Sequence, residues 1–214
     1  NGTGVDIFKP QTTDKELKKS LGLEGKFVVT FAGTLGIAQG LWSVVHAAKL
    51  LRQYEDIALL MIGAGPVKRS LIDLARGLKL NNIFFHPQVP INRINPYLNI
   101  SDVLLVSLKD DVVFDTFIPS KMFDCMACGK PIILSVNGEA KNIFEEARAG
   151  LSVEPENFYE MSDAIVRLYE DRELCRSCGE SGRREQALKL EKVFEGLLTD
   201  PPPDSRGEVL PQGA

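Results

Sequence analysis

The chain has 214 residues, 25 Lys+Arg against 29 Asp+Glu, a net charge of −4 and 44% hydrophobic residues. These values describe a globular chain with a sizeable core, built as one large domain or one domain with an appendage. The mild acidity argues against unaided nucleic-acid binding, and no apolar run approaches the roughly 18 residues that span a bilayer.

The chain opens Asn1-Gly2-Thr3-Gly4-Val5-Asp6, without Met and with no element of core periodicity ahead of it, as in a piece of a longer protein. No signal-peptide pattern is present, so a cytoplasmic setting is expected. Phe27–Phe31 is a short β-branched and aromatic run followed by glycines, the pattern of a buried strand. Leu41, Val44, Val45, Ala48 and Leu51 then share one helical stripe. Ala58–Ile62 is the next strand, stopped by Gly63, and Leu71, Leu74, Ala75 and Leu78 mark a helix. Ile83–Phe85 is a brief strand, Ile91–Leu98 a short helix containing Pro96, and Val103–Val106 a strand. Lys121–Ala127 begins a helix with Ser120 as its N-cap and Gly129 as its left-handed stop. Ile132–Leu134 is a strand, Glu139–Ala149 a helix and Leu151–Val153 a last strand; Phe158–Leu198 holds two or three helices. The end, from Pro201-Pro202-Pro203 to Ala214, is Pro, Gly and charge, and a disordered tail is expected over 199–214.

Strands alternating with helices predict parallel βαβ units: an α/β, doubly wound Rossmann-like parallel sheet with helices on both faces, over about residues 11–198. Such sheets bind ligands in the loops at the carboxyl ends of their strands. Three of those loops suit phosphate. Gly33-Thr34-Leu35-Gly36 through Gln39-Gly40 follows the first strand, and Gly63-Ala64-Gly65-Pro66 the second. Phe117-Ile118-Pro119-Ser120-Lys121 leads into the fourth helix. Glycines permit close backbone approach, and helix N-termini present unpaired N–H groups; the bland alternative is that the glycines only make tight turns. A dinucleotide fingerprint is absent, because Lys68 stands where the third glycine belongs. No Gly-Lys-Ser/Thr follows a strand, so there is no P-loop.

Asn1–Pro10 resembles the segment that opens the C-terminal half of family-four glycosyltransferases. Phe31–Leu35 with Gln39-Gly40 resembles their first glycine loop. Pro119-Ser120-Lys121-Met122-Phe123-Asp124-Cys125-Met126-Ala127-Cys128-Gly129-Lys130-Pro131 is similar to their most specific segment. Gly138-Glu139 and Gly150–Pro155 match the part that follows. The likeness covers roughly 1–190 and is strongest with bacterial enzymes of surface-polysaccharide synthesis. It implies one half of a GT-B architecture, with residues 1–10 as interdomain linker and an N-terminal acceptor domain outside this chain. It also implies a retaining enzyme that takes a nucleoside diphosphate sugar, with a UDP-sugar favoured, and a saccharide or lipid-linked acceptor held by the other half. This half would bind donor without turnover, need no metal or other cofactor, and meet the inner membrane face only through the missing half. The rivals are a GT-B nucleotide-sugar epimerase and a non-catalytic Rossmann-like module.

The same resemblance assigns roles. Asp124 takes the place of a ribose-binding glutamate, one methylene shorter, and the partner glutamate falls at Thr116. Basic residues that the family often puts in the first loop are Thr34 and Gln39 here. At ~4 Å and an effective dielectric near 20, one such cation is worth up to roughly 4 kcal/mol before desolvation. A helix N-terminus supplies only about 0.3–1, or ~2 at best. Lys121, flanked by Ser120, is the natural replacement beside Gly33 and Thr34. Gly36, Gln39, Gly63, Gly65 and Lys68, with Arg69, are secondary phosphate candidates. Gln88 and Val89 fall in the base region, and Thr116, Phe117, Ile118, Pro119 and Glu139 near the donor sugar. Cys125-x-x-Cys128 and Cys175-x-x-Cys178 imitate a zinc site, but both pairs sit on predicted helices and read as packing residues. His46 and His86 read as structural.

Overall fold

The computed structural model describes residues 7–199, with side chains to residue 188. Six strands form one sheet: β1 (Phe27–Ala32), β2 (Ile57–Ile62), β3 (Ile83–His86), β4 (Val103–Ser107), β5 (Ile132–Ser135) and β6 (Gly150–Ser152). All pair in parallel, in the order β3-β2-β1-β4-β5-β6. The helices are α1 (Lys15–Ser20), α2 (Trp42–Leu50), α3 (Lys68–Gly77), α4 (Asn95–Asn99), α5 (Ser120–Ala127), α6 (Glu139–Ala147), α7 (Phe158–Glu170) and α8 (Arg172–Thr199).

Alternation along the strands builds two cores. Phe27, Val29 and Phe31, with Ile57, Leu59 and Met61, face α2, α3 and α7 through Val44, Val45, Leu71 and Ile165. Val28, Ala58, Leu60 and Ile62 face the other way, toward Leu98, Met122, Met126 and Phe144 of α4, α5 and α6. β1, β2, β4 and β5 are covered on both faces, which is why their sequences are apolar almost throughout rather than alternating with polar residues. The doubly wound sheet expected from the sequence is the one observed.

Two local readings change. Ser120 is the first residue of α5 rather than its cap; Pro119 precedes it, and no side chain caps the helix. The predicted helix over 91–98 is a single 3-10 turn at Ile91–Arg93 followed by α4. Pro96 lies in the first turn of α4, where its missing N–H would have had no partner. Of the segments assigned to linker and tail, residues 1–6 and 200–214 lie outside the described residues. Among the described residues no helix is long and apolar enough to cross a membrane.

Candidate functional site

β1 lies between β2 and β4, and the chain winds outward from it in both directions, so the loops beyond its carboxyl end splay apart. A cavity of roughly 350 Å³ opens at that point. Gly33 and Thr34 enter it from the β1 loop, Gly63 from the β2 loop, and Gln88 and Val89 from the β3 loop. Ser120, Lys121 and Asp124 enter from the first turns of α5.

The glycines allow the loops to lie against one another. Gly33 N–H donates to Ile62 O at 2.9 Å, and Leu35 N–H to Ala64 O at 2.9 Å. A β-carbon on Gly63 would overlap the Gly33 carbonyl, and one on Gly33 would overlap Lys121 Nζ. The ammonium of Lys121 therefore rests directly on the backbone of the first loop. It also sits 4.1 Å from the centroid of the Phe31 ring.

Lys121 and Asp124 are one helical turn apart on α5, both half-buried. Among the described residues neither has a hydrogen-bond or ion-pair partner within bonding distance. Burial lowers the Lys121 pKa to about 8, although the charge of Asp124 works against that shift. Burial raises the Asp124 pKa to about 6, opposed by Lys121. A cation and an anion are thus held in partly desolvated positions on one wall, without a hydrogen-bond or ion-pair partner among the described residues. The first-turn N–H groups of α5 add a partial positive charge beside them.

The other predicted phosphate residues are used within the protein. Gln39 Oε1 accepts the Gly36 N–H at 3.1 Å, and the Gln39 carbonyl accepts Ser107 Oγ at 2.8 Å. Gly65 packs its α-carbon against the Leu35 backbone. Lys68 Nζ donates to Gly63 O and His86 O, both at 2.7 Å, joining the ends of β2 and β3. Arg69 pairs with Asp73 at 3.0 Å. Gly36, Gln39, Gly65, Lys68 and Arg69 do not line the cavity.

Thr116, Phe117, Ile118, Pro119 and Glu139 also lie outside it. Asp115 O accepts the Glu139 N–H at 2.9 Å, so the loop after β4 is stitched to the start of α6. That loop exposes Val112, Val113 and Phe117, at 83, 71 and 50%. His46 packs against Phe158 and His86 against Tyr97, and neither lines the cavity. Cys125, Cys128 and Cys178 are buried and Cys175 half-buried, all as free thiols. Burial pushes Cys128 up to about 12 and Cys175 up to about 11, disfavouring the thiolate that binds metals. Among the described residues no three His, Cys, Asp or Glu side chains cluster to hold a metal.

Sequence reading missed part of the apolar lining: Phe8, Ile91, Ile94 and Leu98. A faint signal existed in Asn95 and Asn99, two amides one helical turn apart among Ile94, Leu98 and Ile100.

The model of the family described as glycosyl transferases group 1 matches residues 13–185. This chain belongs to the group 1 glycosyl transferases. Among curated members it is 28% identical over 202 residues to the alpha-D-kanosaminyltransferase of Streptomyces kanamyceticus, covering 86% of this chain and 48% of that protein. The chain spans about half the length of the curated group 1 relatives it matches. Anabaena Alr3699/HepE, solved in complex with UDP, superposes with a TM-score of 0.80 at 17% identity, over 94% of this chain and 56% of that one. The C-terminal domain of the Francisella tularensis group 1 protein LpcC superposes with a TM-score of 0.74 at 20% identity, over 88% of this chain and 98% of that domain. The group 1 glycosyl transferase fold implied by the resemblance is therefore the fold of this chain.

Proposed function

We propose that this chain is the donor-binding part of a retaining glycosyltransferase. It takes a nucleoside diphosphate sugar, with a UDP-sugar favoured, for transfer to a saccharide or lipid-linked acceptor in polysaccharide or glycoconjugate synthesis. The observation that carries the reading is the unpartnered pair Lys121 and Asp124 in a cavity at the switch point of the sheet. A diphosphate answers the ammonium and the first-turn N–H groups of α5; ribose hydroxyls answer the carboxylate.

In this reading Lys121 stabilises the diphosphate as it leaves, and the site works by positioning and electrostatics. The acceptor oxygen bonds to the anomeric carbon as the bond from that carbon to the diphosphate breaks, on the same face of the sugar, and an oxygen of the departing phosphate takes the acceptor proton. Lys121 supplies the positive charge, so the reading requires no metal. The acceptor belongs to a part of the protein beyond this chain. The exposed Val112, Val113 and Phe117 in the loop after β4 support that placement, since another domain facing them would cover apolar surface.

The test is a thermal-shift series with UDP, GDP, ADP, dTDP and NAD, checked by calorimetry. At 100 times its dissociation constant a ligand adds about 2.7 kcal/mol, a rise of roughly 5–11 °C for a chain of this size. UDP is expected to give that rise, and Lys121→Ala to remove it while leaving the weaker binding of uridine intact. A shift with NAD alone, or equal loss of UDP and uridine, would sink the assignment.

A further inference from the structure

The amino-terminal segment reaches the cavity. Phe8 is 7% exposed, packs on the α4–α6 side of the sheet, and lines the cavity with Ile94 and Leu98. Its place is fixed by directional bonds as well as by apolar contact. Asn95 and Asn99, one turn apart on α4, are both buried. Lys9 N–H donates to Asn95 Oδ1 at 3.2 Å, and Gln11 N–H donates to Asn99 Oδ1 at 2.7 Å. The side-chain amides of both asparagines donate to the Lys9 carbonyl at 3.0 Å. The Cys128 thiol, just past α5, donates to Asn95 Oδ1 at 3.5 Å.

Two buried amides in so short a helix are costly unless bonded, and the backbone of residues 9–11 satisfies much of their capacity. Apolar contact alone would let this segment slide along α4. Paired donors and acceptors fix it to one register, and so fix Phe8 one residue before the clamp. The lining of the cavity divides by chemistry: Lys121 and Asp124 are its charged groups, while Phe8, Val89, Ile91 and Ile94 are apolar. The flat, weakly hydrated part of a nucleotide belongs against the second set.

Resting on the donor-site reading above, we propose that Phe8 is the apolar wall against which the base of a bound nucleotide packs. Asn95 and Asn99 are the positioning residues that hold it there. The specificity of the site then depends on the segment entering the domain as well as on the loops of the sheet.

Calorimetry of this chain with two probes, UDP and inorganic pyrophosphate, tests the assignment. Phe8→Ala is expected to weaken UDP on the order of tenfold or more and to leave pyrophosphate within about twofold. Asn99→Ala should weaken UDP selectively as well, and the double variant should bind UDP no worse than Phe8→Ala alone. Equal loss of both probes in Phe8→Ala, or additive losses in the double variant, would overturn the proposal. Hydrogen exchange at the Lys9 and Gln11 amides needs no variant. UDP should raise their protection, and unchanged protection counts against the proposal. If the unaltered chain binds neither probe, the donor-site reading falls and takes this one with it; if it binds UDP and Phe8→Ala binds equally well, only this one falls.

Discussion

Lys121 has an ordinary pKa of 10.5 and Asp124 one of 3.8, and burial in the cavity moves them to about 8 and about 6. Between pH 8 and 10.5 the unfolded chain holds the Lys121 proton that the folded chain has released, so folding gains stability as pH rises through that window. At pH 7 the cost of the buried ammonium is fully present, of the order of 3 kcal/mol, less whatever the Phe31 ring returns. Lys121→Met is therefore expected to raise the melting temperature at pH 7 by several degrees while abolishing UDP-glucose binding; a fall in both would show Lys121 to be a structural residue. A bound diphosphate raises the Lys121 pKa, so affinity should fall up to about tenfold per pH unit above about 8. Ribose hydroxyls need the ionised carboxylate of Asp124, so affinity should also fall below about 6. UDP-glucose suits the measurement because its phosphates carry no second proton in this range. A flat profile from pH 5 to 9 would contradict both roles. These two side chains were singled out in the sequence through the resemblance of the segment around Pro119–Pro131 to a family segment, and the fold sets them three residues apart on one helix, both lining the cavity. Lys68 follows a glycine loop at a spacing that suits phosphate, and in the folded chain two carbonyls take its ammonium, a use that the spacing does not reveal.

At the scale of elements, the strands and most helices were readable because both faces of the sheet are covered and the apolar runs stand out. α4 was less so, being five residues long and carrying Pro96 and two asparagines whose partners come from Lys9 and Gln11. Long-range hydrogen bonds leave no periodic trace in a sequence. The glycine loops were found, but their main use is loop against loop: Gly63 against Gly33, and Gly65 against Leu35. Lys68 completes that arrangement by tying the ends of β2 and β3. Lys68→Met leaves the Gly63 and His86 carbonyls without this donor and should destabilise the fold by about 1–3 kcal/mol. Because Lys68 is outside the cavity, UDP affinity should change little at temperatures where the variant is folded. An affinity loss as large as that of Lys121→Ala would place Lys68 on the phosphate after all.

For the whole molecule, the order β3-β2-β1-β4-β5-β6 divides the sheet into two consecutive runs of chain. Such a division was legible as βαβ repetition, whereas the neighbour that β1 would take across the middle was not. Six residue pairs join β1 to β2, but only two join β1 to β4. Each run holds contacts close in sequence, while the junction between them closes a much longer loop. The two runs are expected to fold early and the junction to close last. The cavity lies on that junction, so it does not exist in the transition state of such a sequence of events. A bound nucleotide would then leave the refolding rate untouched and spend its whole effect on slowing unfolding, acting as a latch on a finished fold rather than a template for making it.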